Sequence, residues 1–206
     1  MSDYKEVHCL PSGEVVDFYP NTHIYSVRGV EVPSVTTLVQ KEYGNQYAGV
    51  NPEILQRAAD HGTAVHKELQ EWIETRKRFP EAEIISAFSE VQNYFTYVEP
   101  VYHIIPKDTE RVVVLYDSAG VPCAAGRFDL LCTVAGAPTL ADFKTTSSIH
   151  RTAVTAQLNL YARAAAQSGY IPSEEIQLGV IHLSGSTARF VPIVKLNPSF
   201  YLKFIH

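Results

Sequence analysis

The triplet Asp142-Phe143-Lys144 puts an acid and a base two positions apart. In an extended strand, residues i and i+2 point to the same face, so the carboxylate and the ammonium stand side by side while Phe143 turns into the core. One turn upstream, Gly126-Arg127-Phe128-Asp129 ends in a second carboxylate. Antiparallel pairing of the two segments brings both acids to one region of a sheet. Two convergent carboxylates suit a hard divalent cation, Mg²⁺ or Mn²⁺, and an adjacent lysine can orient or help deprotonate a metal-activated water. Phosphodiester hydrolysis is the chemistry such a set serves. The plainer alternative is a surface ion pair of Asp142 and Lys144 on an edge strand, since such pairs are common and contribute little.

Further residues bear on that choice. Glu110 opens the first of three consecutive strands, Gln157 and Tyr161 lie at i and i+4 on the helix after Lys144, and His66 follows Gly62-Thr63 on a long upstream helix. Each has a simple reading when taken alone. Glu110 can be a solvated strand end, Gln157 and Tyr161 helix-surface or half-buried residues, and His66 a satisfied helix histidine.

The elements that must position them follow from periodicity and turn chemistry. Val15 to Tyr19, His23 to Val27 and Val30 to Val32 are β-rich runs broken by Pro20-Asn21-Thr22 and Arg28-Gly29, which predicts a small meander. Ser34 can cap a short helix through Leu38 and Val39. Asn51-Pro52 reads as an N-cap with Pro at the first helical position, followed by helical spacing over Glu53 to Arg78. Gly62 interrupts that run, so it predicts either a kinked helix or two helices. Glu83 to Val98 places Ile84, Phe88, Val91, Phe95 and Val98 on one side, which predicts another helix.

From Glu110 onward the chain alternates strands and turns. Arg111 to Tyr116, Ala124 to Val134 and Leu140 to Thr145 read as strands, joined by turns at Asp117-Ser118-Ala119-Gly120 and Ala135-Gly136-Ala137-Pro138. Thr152 to Ser168 has helical composition and ends at Gly169. Gln177 to Leu183 and Ala188 to Val194 form a hairpin around Ser184-Gly185-Ser186, and Asn197-Pro198 opens a short terminal helix. This order predicts an α/β sandwich with a mixed sheet.

Bulk composition narrows the class. The chain has 206 residues, of which 46% are hydrophobic and 19% charged, enough for one domain with a substantial core. No run of about 20 apolar residues exists to span a bilayer, and the polar start Met1-Ser2-Asp3-Tyr4-Lys5-Glu6 is unlike a signal peptide, so the expected setting is intracellular, with no membrane partner. Cys9, Cys123 and Cys132 are odd in number and widely spaced, so they are expected as reduced, mostly buried thiols. The net charge is -5, but residues 1 to 103 carry 8 Lys+Arg against 15 Asp+Glu and residues 104 to 206 carry 9 against 7. A polyanion would therefore be held by local patches and metal ions rather than by overall attraction.

The ordered series Gly62 to His66, Glu110, Gly126 to Asp129, Asp142 to Thr145, and Gln157 to Tyr161 resembles the PD-(D/E)XK nucleases, in their RecB-like and phage-exonuclease branch. The segment His23-Ile24-Tyr25 through Val32-Pro33-Ser34-Val35-Thr36 is similar to the start of phage and organellar members. The resemblance spans residues 20 to 195. It implies a restriction-endonuclease-like core, a mixed β-sheet flanked by helices, with an N-terminal β-meander and helical extension. On that reading residues 1–206 form one nuclease domain, with the meander and short helix in 1–50, a helical segment in 51–100 and the catalytic core in 101–206.

Carried over to this chain, the resemblance implies one or two Mg²⁺ or Mn²⁺ ions held by Asp129, Asp142, the backbone carbonyl of Phe143 and His66. Lys144 would position the attacking water and stabilise charge on the transition state. Glu110 would act as the upstream acid, behind the metal ligands or on a second ion. Gln157 and Tyr161 would contact DNA or brace the active-site loop, while Arg127, Thr145, Thr146, His150 and Arg151 are placed for phosphate contacts. The implied activity is that of a DNA exonuclease acting on linear duplex or single strand, in phage-type recombination, replication or repair. The alternatives are an endonuclease or single-strand trimming nuclease of the same fold, and a non-catalytic module that binds DNA ends or a protein. Three scattered cysteines argue against the iron-sulfur cluster of some relatives. With no G-x-x-x-x-G-K-[ST] loop, the nuclease would act alone, as a homo-oligomer, or beside a helicase or single-strand annealing partner. The implied location is the cytoplasm of a bacterial host, with a phage origin.

Overall fold

A computed structural model describes residues 4–44, 49–185 and 187–205. Ser186 of the predicted turn and the first three residues of the polar start lie outside the described residues. The chain is mixed α/β with two sheets. The first sheet, in the order β1-β2-β3-β4, is an antiparallel meander of β1 (Glu6–Cys9), β2 (Val15–Tyr19), β3 (Ile24–Val27) and β4 (Val30–Val32). Arg28 and Gly29 both have positive φ, 54° and 77°, which gives the two-residue hairpin turn whose twist matches its strands. β1 was not legible: its Glu-Val-His-Cys run is short and largely polar.

The second sheet has the order β5-β6-β7-β8-β9. β5 (Ile104–Tyr116), β6 (Pro122–Val134) and β7 (Ala137–Lys144) are antiparallel neighbours; β8 (Gln177–Ser184) runs parallel to β7, and β9 (Thr187–Ile193) returns antiparallel. β7 is thus the central strand, not an edge. The β6–β7 turn is tighter than the predicted four residues. Val134 pairs with Ala137, and the two turn residues, Ala135 and Gly136, have φ of 49° and 85°. β5 starts earlier than expected, so Glu110 lies mid-strand rather than at a strand start. As an edge strand β5 would expose unpaired amides. Ser168 Oγ accepts the Val114 N–H and Gln167 Oε1 the Tyr116 N–H, each at 2.9 Å, and so covers that edge.

Helices lie on both faces of this sheet. α1 (Val35–Tyr43) starts where Ser34 Oγ accepts the Thr37 N–H at 3.0 Å. α2 (Pro52–Arg78) is one helix of 27 residues, unbroken at Gly62, with Asn51 Oδ1 accepting the Glu53 N–H and with Arg76, Lys77 and Arg78 in its last turn. The predicted helix over Glu83 to Val98 starts later, at Ser89: α3 (Ser89–Asn93) runs into a π-helical stretch over Tyr94–Val98 and then α4 (Glu99–Val101). Ser86 Oγ accepts the Phe88 N–H, a local bond that competes with helix and holds 86–88 outside it. Ile84 and Phe88 still pack on the core from non-helical backbone. α5 (Arg151–Gln167) and a terminal 3₁₀ turn (Pro198–Lys203) complete the chain.

One core joins α5 and α1 to the sheet, through Leu158, Ala162 and Ala165 against Phe128, Leu140 and Val180. Another joins α2 to the opposite face, where Val65, Leu69 and Ile73, four residues apart, pack with Leu130, Phe143 and Ile181. Truncating Leu69 to Ala would cost about 2–5 kcal/mol. A third core seats the meander on β5 and β6, through Val16, Tyr25 and Val27 against Val112, Val114 and Ala125. Of the cysteines only Cys132 is buried; Cys123 is half-buried and Cys9 exposed, which corrects the expectation of mostly buried thiols. Among the described residues no helix is long and apolar enough to cross a membrane.

Candidate metal centre

The site forms where β6 and β7 part. Their ladder runs from Val134↔Ala137 to Leu130↔Ala141 and stops there. Beyond that pair Asp129 fills the gap, its Oδ2 accepting the Phe143 N–H at 2.7 Å. A carboxylate thus takes the place of the ladder bond that the parting removes. It is the amide of Phe143, not its carbonyl, that touches Asp129.

Across β5, Thr109 pairs with Leu130 and Arg111 with Phe128, so Glu110 stands opposite Asp129. Glu110 has φ of 50°, a left-handed conformation inside a strand. For a residue other than glycine this costs on the order of 1 kcal/mol and is held by the surrounding ladder. From the other side α2 brings His66, whose Nδ1 is 3.5 Å from Asp129 Oδ2 and whose ring meets Phe143 edge-on at 5.8 Å. One ligand atom from each of His66, Glu110 and Asp129 lies within 4.8 Å of the others. The spacing suits a shared cation.

Asp142 stands beside this trio rather than in it. It is 5% exposed, and its Oδ2 lies 2.7 Å from Lys144 Nζ. This buried oxygen has the ammonium as its ion-pair partner. The ion pair read as a plain surface bridge is real, but it is buried and central in the sheet.

Electrostatics agree with the geometry. Burial, then repulsion from Asp129, pushes Glu110 up to about 8 against the pull of Arg127, with Asp142 adding to the rise. Burial also raises Asp129, assisted by Asp142; His66, Lys144 and the Phe143 amide pull it down without cancelling the rise. Clustered carboxylates that resist ionisation are poorly served by the protein alone. A divalent cation would satisfy them, so the donor set fits Mg²⁺ or Mn²⁺.

The surrounding residues divide into groups. Arg127 is bound to Glu6 at 3.2 Å and lies over the Phe18 ring at 5.2 Å, so the meander holds it beside Glu110. Tyr161 is buried and faces Gly126, where an added Cβ would meet its ring at 2.8 Å. It shares hydrogen bonds with half-buried Gln157 and with Thr36 of α1. Tyr161 therefore braces β6, and burial leaves it no outward face for DNA. Thr145 lies at the end of β7 under α2: a Cβ on Gly62 would sit 3.3 Å from Thr145 Oγ1. Thr146 is half-buried with its Oγ1 donating to the Ser148 carbonyl, while His150 and Arg151 are exposed at the start of α5.

Glu6, Phe18 and Thr36 went unnoticed in sequence because their roles depend on how the meander and α1 dock. Only the β-rich pattern around Phe18 hinted at that docking. No known family model matches the chain, and no curated protein matches it significantly.

Proposed function

We propose that the chain is a Mg²⁺- or Mn²⁺-dependent deoxyribonuclease with a restriction-endonuclease-like core, acting from DNA ends. The observation that carries this reading is the convergence of His66, Glu110 and Asp129 within 4.8 Å at the parting of β6 and β7, with Asp142 and Lys144 alongside. His66, Glu110, Asp129 and Asp142 would hold the cation, which when bound supplies an acidified water and neutralises charge at phosphorus.

The chain's own groups then have defined tasks. Lys144 Nζ, held beside Asp142, orients the nucleophilic water and donates to the phosphoryl oxygen that gains charge. Phe143 N–H fixes the Asp129 carboxylate, and the edge-on Phe143 ring limits how far His66 can turn.

The test is an end-labelled linear duplex beside a closed circle of the same sequence, with Mg²⁺, Mn²⁺ or EDTA. Metal-dependent loss of the linear form alone is expected. Cutting of both would replace the exonuclease with an endonuclease, and cutting of neither would sink the enzymatic reading.

A further inference from the structure

A second site lies on the opposite flank of β7. Lys144 pairs in register with His182 on β8, and His182 with Arg189 on β9. In-register neighbours point to one face, so Lys144, His182 and Arg189 form a row across the sheet. The segment leaving β7 passes over the end of this row and enters α5 at Arg151. Between them is a concavity of about 410 Å³ whose lining includes Ser147, Ser148, Arg151, His182 and Arg189.

Several features give this concavity its chemistry. No acidic residue lines it, although the chain carries a net charge of -5. Among the described residues Arg151 and Arg189 make no ion pair or hydrogen bond, which is also true of Arg57 and Arg78, whereas Arg28, Arg76, Arg111 and Arg127 are matched to acids. α5 has no acidic residue in its first turn, and His150 provides no side-chain cap there. Its amide dipoles therefore add positive potential to the two guanidiniums. His182 is 4% exposed; its Nε2 donates to the Thr146 carbonyl at 2.7 Å and anchors the segment carrying both serines. Its Nδ1 has no partner. Guanidiniums and hydroxyls around a concave surface form a receptor for a tetrahedral oxyanion.

We propose that this concavity binds a non-scissile phosphodiester of the same DNA strand that is cut at the metal centre. The inference rests on the nuclease reading above and adds to it the strand contact that sets the position of the cut. Arg189 is two strand spacings from Lys144, about 10 Å, which reaches the next one or two phosphates along a strand. The arginines grip the phosphate, and His182 is a positioning residue that fixes the Ser147-Ser148 segment. Two charges are thus held on one strand: the scissile phosphate on the acidic side of β7 and a neighbouring phosphate on the basic side.

The experiment compares wild type with the Arg151→Ala/Arg189→Ala double variant and its Lys counterpart, on oligonucleotides carrying a single methylphosphonate linkage at successive positions. Both arginines are exposed, so the fold should survive, and a thermal melt checks this. Loss of this phosphate contact should raise KM about 5-fold at 0.1 M salt and lower its salt slope by about 0.7, the value for one phosphate on a single strand. Wild type should be slowed by a neutral linkage about one or two nucleotides from the cut, and the double variant should show no further slowing there. The Lys pair should retain most of the salt slope. Wild-type cleavage together with an unchanged KM and slope in the double variant would overturn the phosphate site and leave the nuclease standing. Absence of both cleavage and binding by wild type would instead overturn the nuclease reading, and this inference with it.

Discussion

On its β6 side β7 loses its partner after Ala141, and acids gather in the gap; on its β8 side the ladder stays in register through Lys144, and arginines gather beyond it. The two flanks belong to one sheet, yet they create opposite demands. Parting leaves a backbone N–H that needs an acceptor, and Asp129 fills that role. With Glu110 opposite and Asp142 adjacent, the gap becomes a place where negative charge is in excess. Continuous pairing leaves no such demand. There, Arg151, Arg189 and the start of α5, which has no side-chain cap, produce a surface of positive potential instead. On the proposed reading a cation would occupy one flank and an anion the other, and a phosphodiester would bring the two together.

The largest effect that would break this comparison is at the acids. Asp129→Ala or Asp142→Asn should reduce cleavage below detection while DNA binding persists, because the arginines on the other flank are untouched. Gel-shift and cleavage assays on one preparation check both halves. Equal loss of binding and cleavage would show that the flanks do not act separately. Next comes Lys144→Ala, with an expected fall in kcat of about 10²–10³, the scale for losing a donor to developing negative charge. Metal binding followed by calorimetry should survive that change.

Proton linkage gives a prediction of intermediate size. Glu110 is raised from 4.5 to about 8, so the folded metal-free protein binds this proton more tightly than the unfolded chain does. The stability it contributes is fully present below pH 4.5 and is lost as pH rises through about 8. Asp129 shifts in the same direction. Melting of the metal-free protein should therefore show a lower Tm at pH 8.5 than at pH 6. Added Mn²⁺ should raise Tm more at pH 8.5, since at pH 6 the ion must first displace a proton. A metal-induced rise in Tm that is independent of pH would remove Glu110 from the cation site.

How much of this was legible in the sequence differs between the flanks. Asp129, Asp142 and Lys144 announced themselves because strand alternation and one intervening turn are local properties. The meander, the central strands and α5 were legible for the same reason. Glu110 was picked out, but its left-handed backbone was not, because that conformation arises only when β5 must place a carboxylate opposite Asp129. The basic flank was half seen. Arg151 stood out by its place after Lys144, whereas Arg189 and His182 join it only through the parallel β7–β8 register, which no local pattern encodes. The start of α3 was misplaced because Ile84 and Phe88 satisfy helical spacing with Val91, Phe95 and Val98 while their own backbone is not helical.

The smallest expected effect concerns Gly62, which brings α2 close to Thr145 at the end of β7. A glycine within a helix is less favourable than alanine by up to about 1 kcal/mol, so Gly62→Ala should leave stability unchanged or slightly raised. The new methyl would sit 3.3 Å from Thr145 Oγ1, close enough to require a shift of a few tenths of an ångström at the residue that follows Lys144. Because Thr145 lies between the acidic gap and the segment over the basic concavity, that shift should lower kcat and leave Tm and KM nearly unaltered. A variant that gains Tm with full kcat would show that Thr145 yields freely and that α2 does not set the spacing between the two flanks.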